Sequence, residues 1–176
     1  MMVVGPSLTR MNANEDVNAA GATLKFQLTV NDGFGGISRD TATVNIANIN
    51  DPPVLANPRA SIACLWPPNH SMVKVSILGV VDVNRNSTVT ITGVKQDEAT
   101  NGLGDGDTAI DAIINADGTV LLRAERSGNG NGRVYHIHFT ASDGEGGVSG
   151  VVTVCVPRSK ASDITIDGGE LFDSTH

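Results

Sequence analysis

Apolar and polar residues alternate through most of this chain. Leu24-Lys25-Phe26-Gln27-Leu28-Thr29-Val30 sets Leu24, Phe26, Leu28 and Val30 on one side and polar residues on the other. That period of two is the mark of a half-buried β-strand. Asp32-Gly33-Phe34-Gly35-Gly36 then reads as a tight reversal into Ala42-Thr43-Val44-Asn45-Ile46. Asp-Gly and Gly-Gly supply the positive φ that such a turn needs, so the segment predicts a β-hairpin. The passage returns as Phe139-Thr140-Ala141-Ser142-Asp143-Gly144-Glu145-Gly146-Gly147-Val148-Ser149, followed by Val152-Thr153-Val154-Cys155-Val156. The two copies lie about one β-sandwich domain apart, which predicts a tandem arrangement of modules.

Between the hairpins, strands are expected at Ser61–Leu65, Val73–Val81, Thr88–Val94, Ala112–Asn115, Thr119–Ala124, Val134–Ala141 and Val148–Val156. Short strands separated by Gly, Asn and Asp turns predict an antiparallel β-sandwich over residues 52–158. Residues 1–51 then hold only the closing hairpin of an incomplete module, and a lone hairpin is marginal in water. Residues 159–176 form an acidic tail in which Asp163–Asp167 could make one short strand before Gly168-Gly169 breaks it.

Composition narrows the class. Aromatics are scarce (four Phe, one Trp, one Tyr) and no stretch carries a helical period, so the reading is all-β. A net charge of −7 opposes nucleic-acid binding, because an acidic surface repels phosphates. No apolar run approaches the ~18 residues of a transmembrane helix, so no membrane insertion is expected.

Cys64 falls in the first expected strand of the second module and Cys155 in its last. Those strands can run side by side, so a disulfide is geometrically reasonable. It would close a loop of about 90 residues and stabilise the fold by roughly 4–5 kcal/mol on a chain-entropy argument. A bridge implies an oxidising, extracellular setting. The alternative is two buried free thiols.

Leu24–Pro53 resembles the closing hairpin and linker of the cadherin-like and PKD-like repeats of bacterial surface proteins, with Asn50-Asp51-Pro52-Pro53 similar to a calcium-binding linker. Three strings, Leu65-Trp66-Pro67-Pro68-Asn69-His70, Asn101–Thr108 and Arg123-Ala124-Glu125-Arg126-Ser127-Gly128, resemble another Ig-like module recurrent in secreted bacterial proteins. The resemblance implies an Ig-like β-sandwich at the bacterial cell surface, serving as stalk, spacer or adhesion module, with no catalysis.

Candidate chemistry concentrates in acidic loops. Asp105, Asp107 and Asp111, with Asp97 and Glu98 just upstream, place hard oxygen ligands in one long loop, a pattern that suits Ca²⁺. The terminal Glu of an EF-hand is missing, and the competing reading is a solvated loop ordered by Asx turns. Asn48, Asn50 and Asp51 form a second candidate calcium set, against a connector merely stiffened by proline. Asp82-Val83-Asn84-Arg85-Asn86 reads better as a turn than as a third set. His136 and His138 share one strand face, expected to be exposed, without a third ligand for zinc at a readable spacing. Trp66 is expected to pack across the sandwich mouth. No nucleophile or acid–base pair stands in a recognisable setting, so no enzyme is expected.

These features predict an extracellular, calcium-stabilised structural or adhesive protein. Its partners would be copies of itself or neighbouring Ig-like modules, or a surface glycan or protein. The unfinished first module invites strand exchange into a fibre, with Ile164-Thr165-Ile166 or a neighbour's strands as donor. The alternative is a carbohydrate-binding accessory module of a larger secreted enzyme, against which the shortage of aromatics weighs.

Overall fold

The computed structural model describes residues 21–47, 49–84, 86–101, 108–160 and 165–176. Among these there is no helix. The strands in chain order are β1 (Ala22–Asn31), β2 (Ile37–Ile46), β3 (Val54–Ala60), β4 (Met72–Val81), β5 (Thr88–Gln96), β6 (Ala112–Ile114), β7 (Thr119–Arg123), β8 (Arg133–Ser142), β9 (Gly147–Val156) and β10 (Phe172–Asp173). Contacts divide the chain into two compact units between Asn50 and Asp51.

The first unit is the expected hairpin. β1 and β2 pair antiparallel in unbroken register from Ala22 opposite Ile46 to Asn31 opposite Ile37. Asp32 shapes the turn: its Oδ1 accepts the Phe34 and Gly36 N–H groups at 2.8 and 2.9 Å. Those backbone donors, Phe34 first, hold the Asp32 carboxyl below the usual aspartate range. Phe26 and Val30 share one face of the hairpin and stay 46% and 56% exposed.

The second unit is an antiparallel β-sandwich. One sheet has the order β3-β4-β7-β6 and the other β10-β5-β8-β9. Val75, Val120 and Leu122 from the first sheet meet Ile91, Val94, Ile137, Phe139, Val152 and Val154 from the second in one hydrophobic core. Burying each such side chain contributes about 1.5–3 kcal/mol. Alternation along the strands selects which residues point inward, so the sequence pattern and the core agree.

The first strand of this unit differs from expectation. The ladder residues are Val54–Ala60, whereas Ser61–Leu65 makes a single bridge. Asn57-Pro58, a pair that disfavours a strand interior, sits within β3. β3 is an edge strand, where proline's missing donor costs no ladder bond. Its register slips between Leu55 and Arg59. Gly79, at φ +85°, lies opposite this irregularity, and a Cβ there would collide with the Asn57 carbonyl. Beyond Ala60 the chain crosses to the other sheet. Leu65 N–H donates to the Cys155 carbonyl at 2.7 Å, and Cys155 N–H to the Ala63 carbonyl at 2.9 Å. This parallel bridge brings the two Cα atoms within 4.3 Å, and Cys64 and Cys155 are joined by a disulfide spanning 91 residues.

Residues 165–176 pack on the sandwich. The short strand lies after Gly168-Gly169, at Phe172–Asp173, rather than before it. Asp163 and Ile164 lie outside the described residues; Thr165–Asp167 is not a strand. The segment also overturns the expected exposure of the histidine face. His136 is buried and its Nε2 lies 2.9 Å from Asp167 Oδ2, while His138 Nε2 lies 2.8 Å from Glu170 Oε2. A polar outer face of a sheet signals a polar neighbour as readily as it signals water.

Candidate functional site

Residues 102–107 of the string at 101–108 lie outside the described residues; the other two distinctive strings, Leu65–His70 and Arg123–Gly128, meet at one pole of the sandwich, around Arg133. This residue opens β8 with the same parity as Tyr135, Ile137 and Phe139, so its side chain enters the interior and is fully buried. Its Nη1 lies 2.7 Å from Asp111 Oδ2, which also accepts from Gln96 Nε2 at 2.8 Å. Its Nε lies 3.5 Å from Glu98 Oε2, and that oxygen accepts the Ser127 N–H at 2.7 Å. Burial opposes the charge on Arg133, but Tyr135, Asp111 and Glu98 outweigh it and raise its pKa.

Tyr135 extends the network. Its hydroxyl donates to the Arg123 carbonyl at 2.9 Å, tying the start of β8 to the end of β7. Burial pushes its pKa well above the tyrosine range. Arg123 turns its guanidinium to the loop carbonyls, donating to Ile110 from Nη2 at 2.8 Å and to His70 from Nη1 at 3.1 Å. Its Nε also lies 3.6 Å from Asp111 Oδ1. Buried Glu125 places Oε2 2.6 Å from Nδ1 of the half-exposed His70 imidazole, on a residue held at φ +63°. The neighbouring Ser71 hydroxyl donates to Asn69 Oδ1 at 2.6 Å.

The candidate calcium ligands among the described residues lie on several different segments of the chain. Asp97 lies at the end of β5, where Oδ1 accepts the Val134 N–H at 2.8 Å and Oδ2 the Gly168 N–H at 3.1 Å. Glu98 and Asp111 face Arg133 from different sides, as above. Asp97, Glu98 and Asp111 thus each have protein donors. Asp105, Asp107 and Asn48 lie outside the described residues. Asn50 and Asp51 flank the boundary between the units, and the Asp51 N–H donates to Asn84 Oδ1 at 2.9 Å. Asp82 accepts the Asn84 N–H at 2.7 Å, the turn expected there. Among the described residues, no three His, Cys, Asp or Glu side chains are grouped to hold a metal ion.

Sequence reasoning passed over Gln96, Arg123, Glu125 and Arg133 as partners of the acidic loop. One signal existed: Arg133 has the inward parity of its strand, and an inward arginine requires a buried carboxylate. Trp66, expected to pack across the mouth, remains 42% exposed.

Comparison with known proteins finds no matching family model and no matching curated protein. No helix among the described residues is long and apolar enough to cross a membrane.

Proposed function

We propose that this chain is an extracellular structural or adhesive protein of the kind built from Ig-like and cadherin-like modules at bacterial surfaces. The observation that carries this reading is the strand order of the second unit. Lettered A to G along the chain, β3 to β9 give an ABED sheet facing a CFG sheet, the arrangement of Ig constant-type domains. Tyr135, hydrogen-bonded from the start of β8 back to the Arg123 carbonyl, is comparable with the corner tyrosine of those folds. The disulfide suits an oxidising compartment. Arg123, Glu98 and Tyr135 at the pole hold loops to strands, which favours a structural role over catalysis.

Calcium enters the proposal through Asp105 and Asp107, with Asn48, Asn50 and Asp51 as a linker set. Asp97, Glu98 and Asp111 would have to exchange protein donors for the ion. Self-assembly enters through the apolar face of the β1–β2 hairpin, whose strand edges suit addition of a strand from a neighbour. A second reading, a carbohydrate-binding accessory module, is favoured by the exposed Trp66, which could stack on a sugar ring.

Sedimentation of the full chain over a wide concentration range, alongside a glycan array, separates the two. The structural reading expects assembly beyond the monomer and no micromolar glycan binding. A monomer at every concentration that binds a glycan, and loses it on Trp66→Ala, would replace that reading with the second.

A further inference from the structure

Residues 165–176 are held in a way unlike the rest of the second unit. Ile166, Leu171 and Phe172 point outward, 64%, 63% and 40% exposed, and Ser174 alone is buried among these twelve residues. The attachments are main-chain bonds and charges. Phe172 and Asp173 pair antiparallel with Gln96 and Lys95 on the edge of β5. Leu171 N–H donates to the Gln96 carbonyl at 3.1 Å and Ser174 N–H to the Val94 carbonyl at 3.0 Å. Ser174 also accepts, through its carbonyl, the Asp111 and Ala112 N–H groups at 3.0 and 2.8 Å, so one residue joins both sheets.

The side chains supply a charge code. Asp167 meets His136, Glu170 meets His138, and Asp173 stands opposite Lys95. Acidic residues three apart therefore meet cationic or protonatable residues on β8 and β5. Between the first two acids, Gly169 takes φ +90° and Gly168 passes close to the Asp97 side chain. Strand addition at a sheet edge draws affinity from main-chain bonds and specificity from side-chain sites beside it. Both components are present.

We propose that the outer face of β8 and the edge of β5 form an acceptor site for an extended acidic segment, filled in cis by residues 165–176 and able to take the same segment from a second copy. The site reads an acid, a Gly-Gly turn, a second acid, and a third acid followed by serine. A second copy carries that pattern by identity. Cis or trans occupancy is then set by the effective concentration of each segment. Exchange of this kind is a head-to-tail contact, which propagates unless its rotation closes a ring. The proposal does not depend on the adhesive reading or on the β1–β2 hairpin.

The test uses the full chain carrying Asp167→Lys and Glu170→Lys, whose own segment is repelled from the site, and a fluorescent peptide of residues 165–176. The variant should bind the peptide, and wild type should bind it at least tenfold more weakly because its site is occupied. A peptide of the same composition in scrambled order should not bind. Adding His136→Ala and His138→Ala to the variant should weaken binding at least tenfold. Near-UV circular dichroism around the buried Tyr135 reports whether the sandwich is intact; if the Lys variant loses that signal, wild type is measured at high peptide concentration instead. Equal binding of the scrambled peptide, or no binding to either chain, overturns the acceptor site. Peptide binding without co-capture of two differently tagged full-length copies overturns the exchange.

Discussion

Arg133 and Asp111 form an ion pair at 2.7 Å with both side chains fully excluded from solvent. Such a pair contributes little net stability, because desolvating the two charges offsets their attraction, yet removing one partner strands the other. Asp111→Ala should therefore lower the unfolding free energy by about 3–5 kcal/mol. Replacing both residues with apolar ones of similar size should cost much less than the two single changes together. Urea denaturation of the four proteins in this cycle gives the answer, and additive losses would show that the pair is not coupled.

The disulfide yields a second expectation. Peptide mapping without reductant should recover Cys64 and Cys155 in one cross-linked species. Reduction should then destabilise the second unit by up to about 4–5 kcal/mol, less whatever strain the bridge carries. Recovery of both thiols freely alkylated would refute it.

Acid should loosen the molecule at identifiable places. Asp117 is brought down to about 2, first by the Lys74 ammonium and then by Thr119. Burial of Asp167 works against its charge, but the Gly169 N–H and His136 outweigh it, and Thr175 lowers Asp173. Each carboxyl has a folded pKa below its unfolded value. Its contribution is thus fully present above the ordinary aspartate range and is lost as pH falls through the folded pKa. For Asp117 that window runs from about 4 to about 2. NMR titration should follow Asp117 through it, and Lys74→Ala should return its midpoint toward the ordinary value. Amides of residues 165–176 should lose exchange protection before those of β8 in the same acid range. Simultaneous loss would mean that the segment unfolds only with the sandwich.

Calcium at the long loop is tested by melting temperature. Binding to the native state at roughly 10⁻⁴–10⁻³ M should raise the melting temperature as calcium passes that range. Asp105→Ala with Asp107→Ala should abolish the rise. An unchanged response in that double variant would remove the loop from the proposal.

Most strands were legible because alternation is a local property. β1 and β4 to β9 fall within two residues of the expected bounds, and β2 ends where expected but begins five residues earlier, at Ile37 rather than Ala42. What escaped depended on information that no local window holds. Asn57-Pro58 argues against a strand until β3 is known to be an edge. His136 and His138 look solvent-facing until Asp167 and Glu170 are known to lie over them. At the pole, the acids were recognised and their partners were not: Arg123 and Arg133 sit in strands, far along the chain from Asp111. The pattern of loop carboxylates is the same for a metal and for an arginine, so it could not distinguish them.

The position of the Cys64–Cys155 link has a mechanical consequence. If the second unit is stretched by pulling at Asp51 and Arg158, load passes from Cys64 directly to Cys155. The chain between them, which includes β4 to β8 and β9 as far as Cys155, is bypassed. Only the short stretches outside the bridge can pay out length, at about 3.3–3.6 Å per residue. The 91-residue span stays slack until the sulfur–sulfur bond is reduced. A redox change would then act as a release for stored contour length.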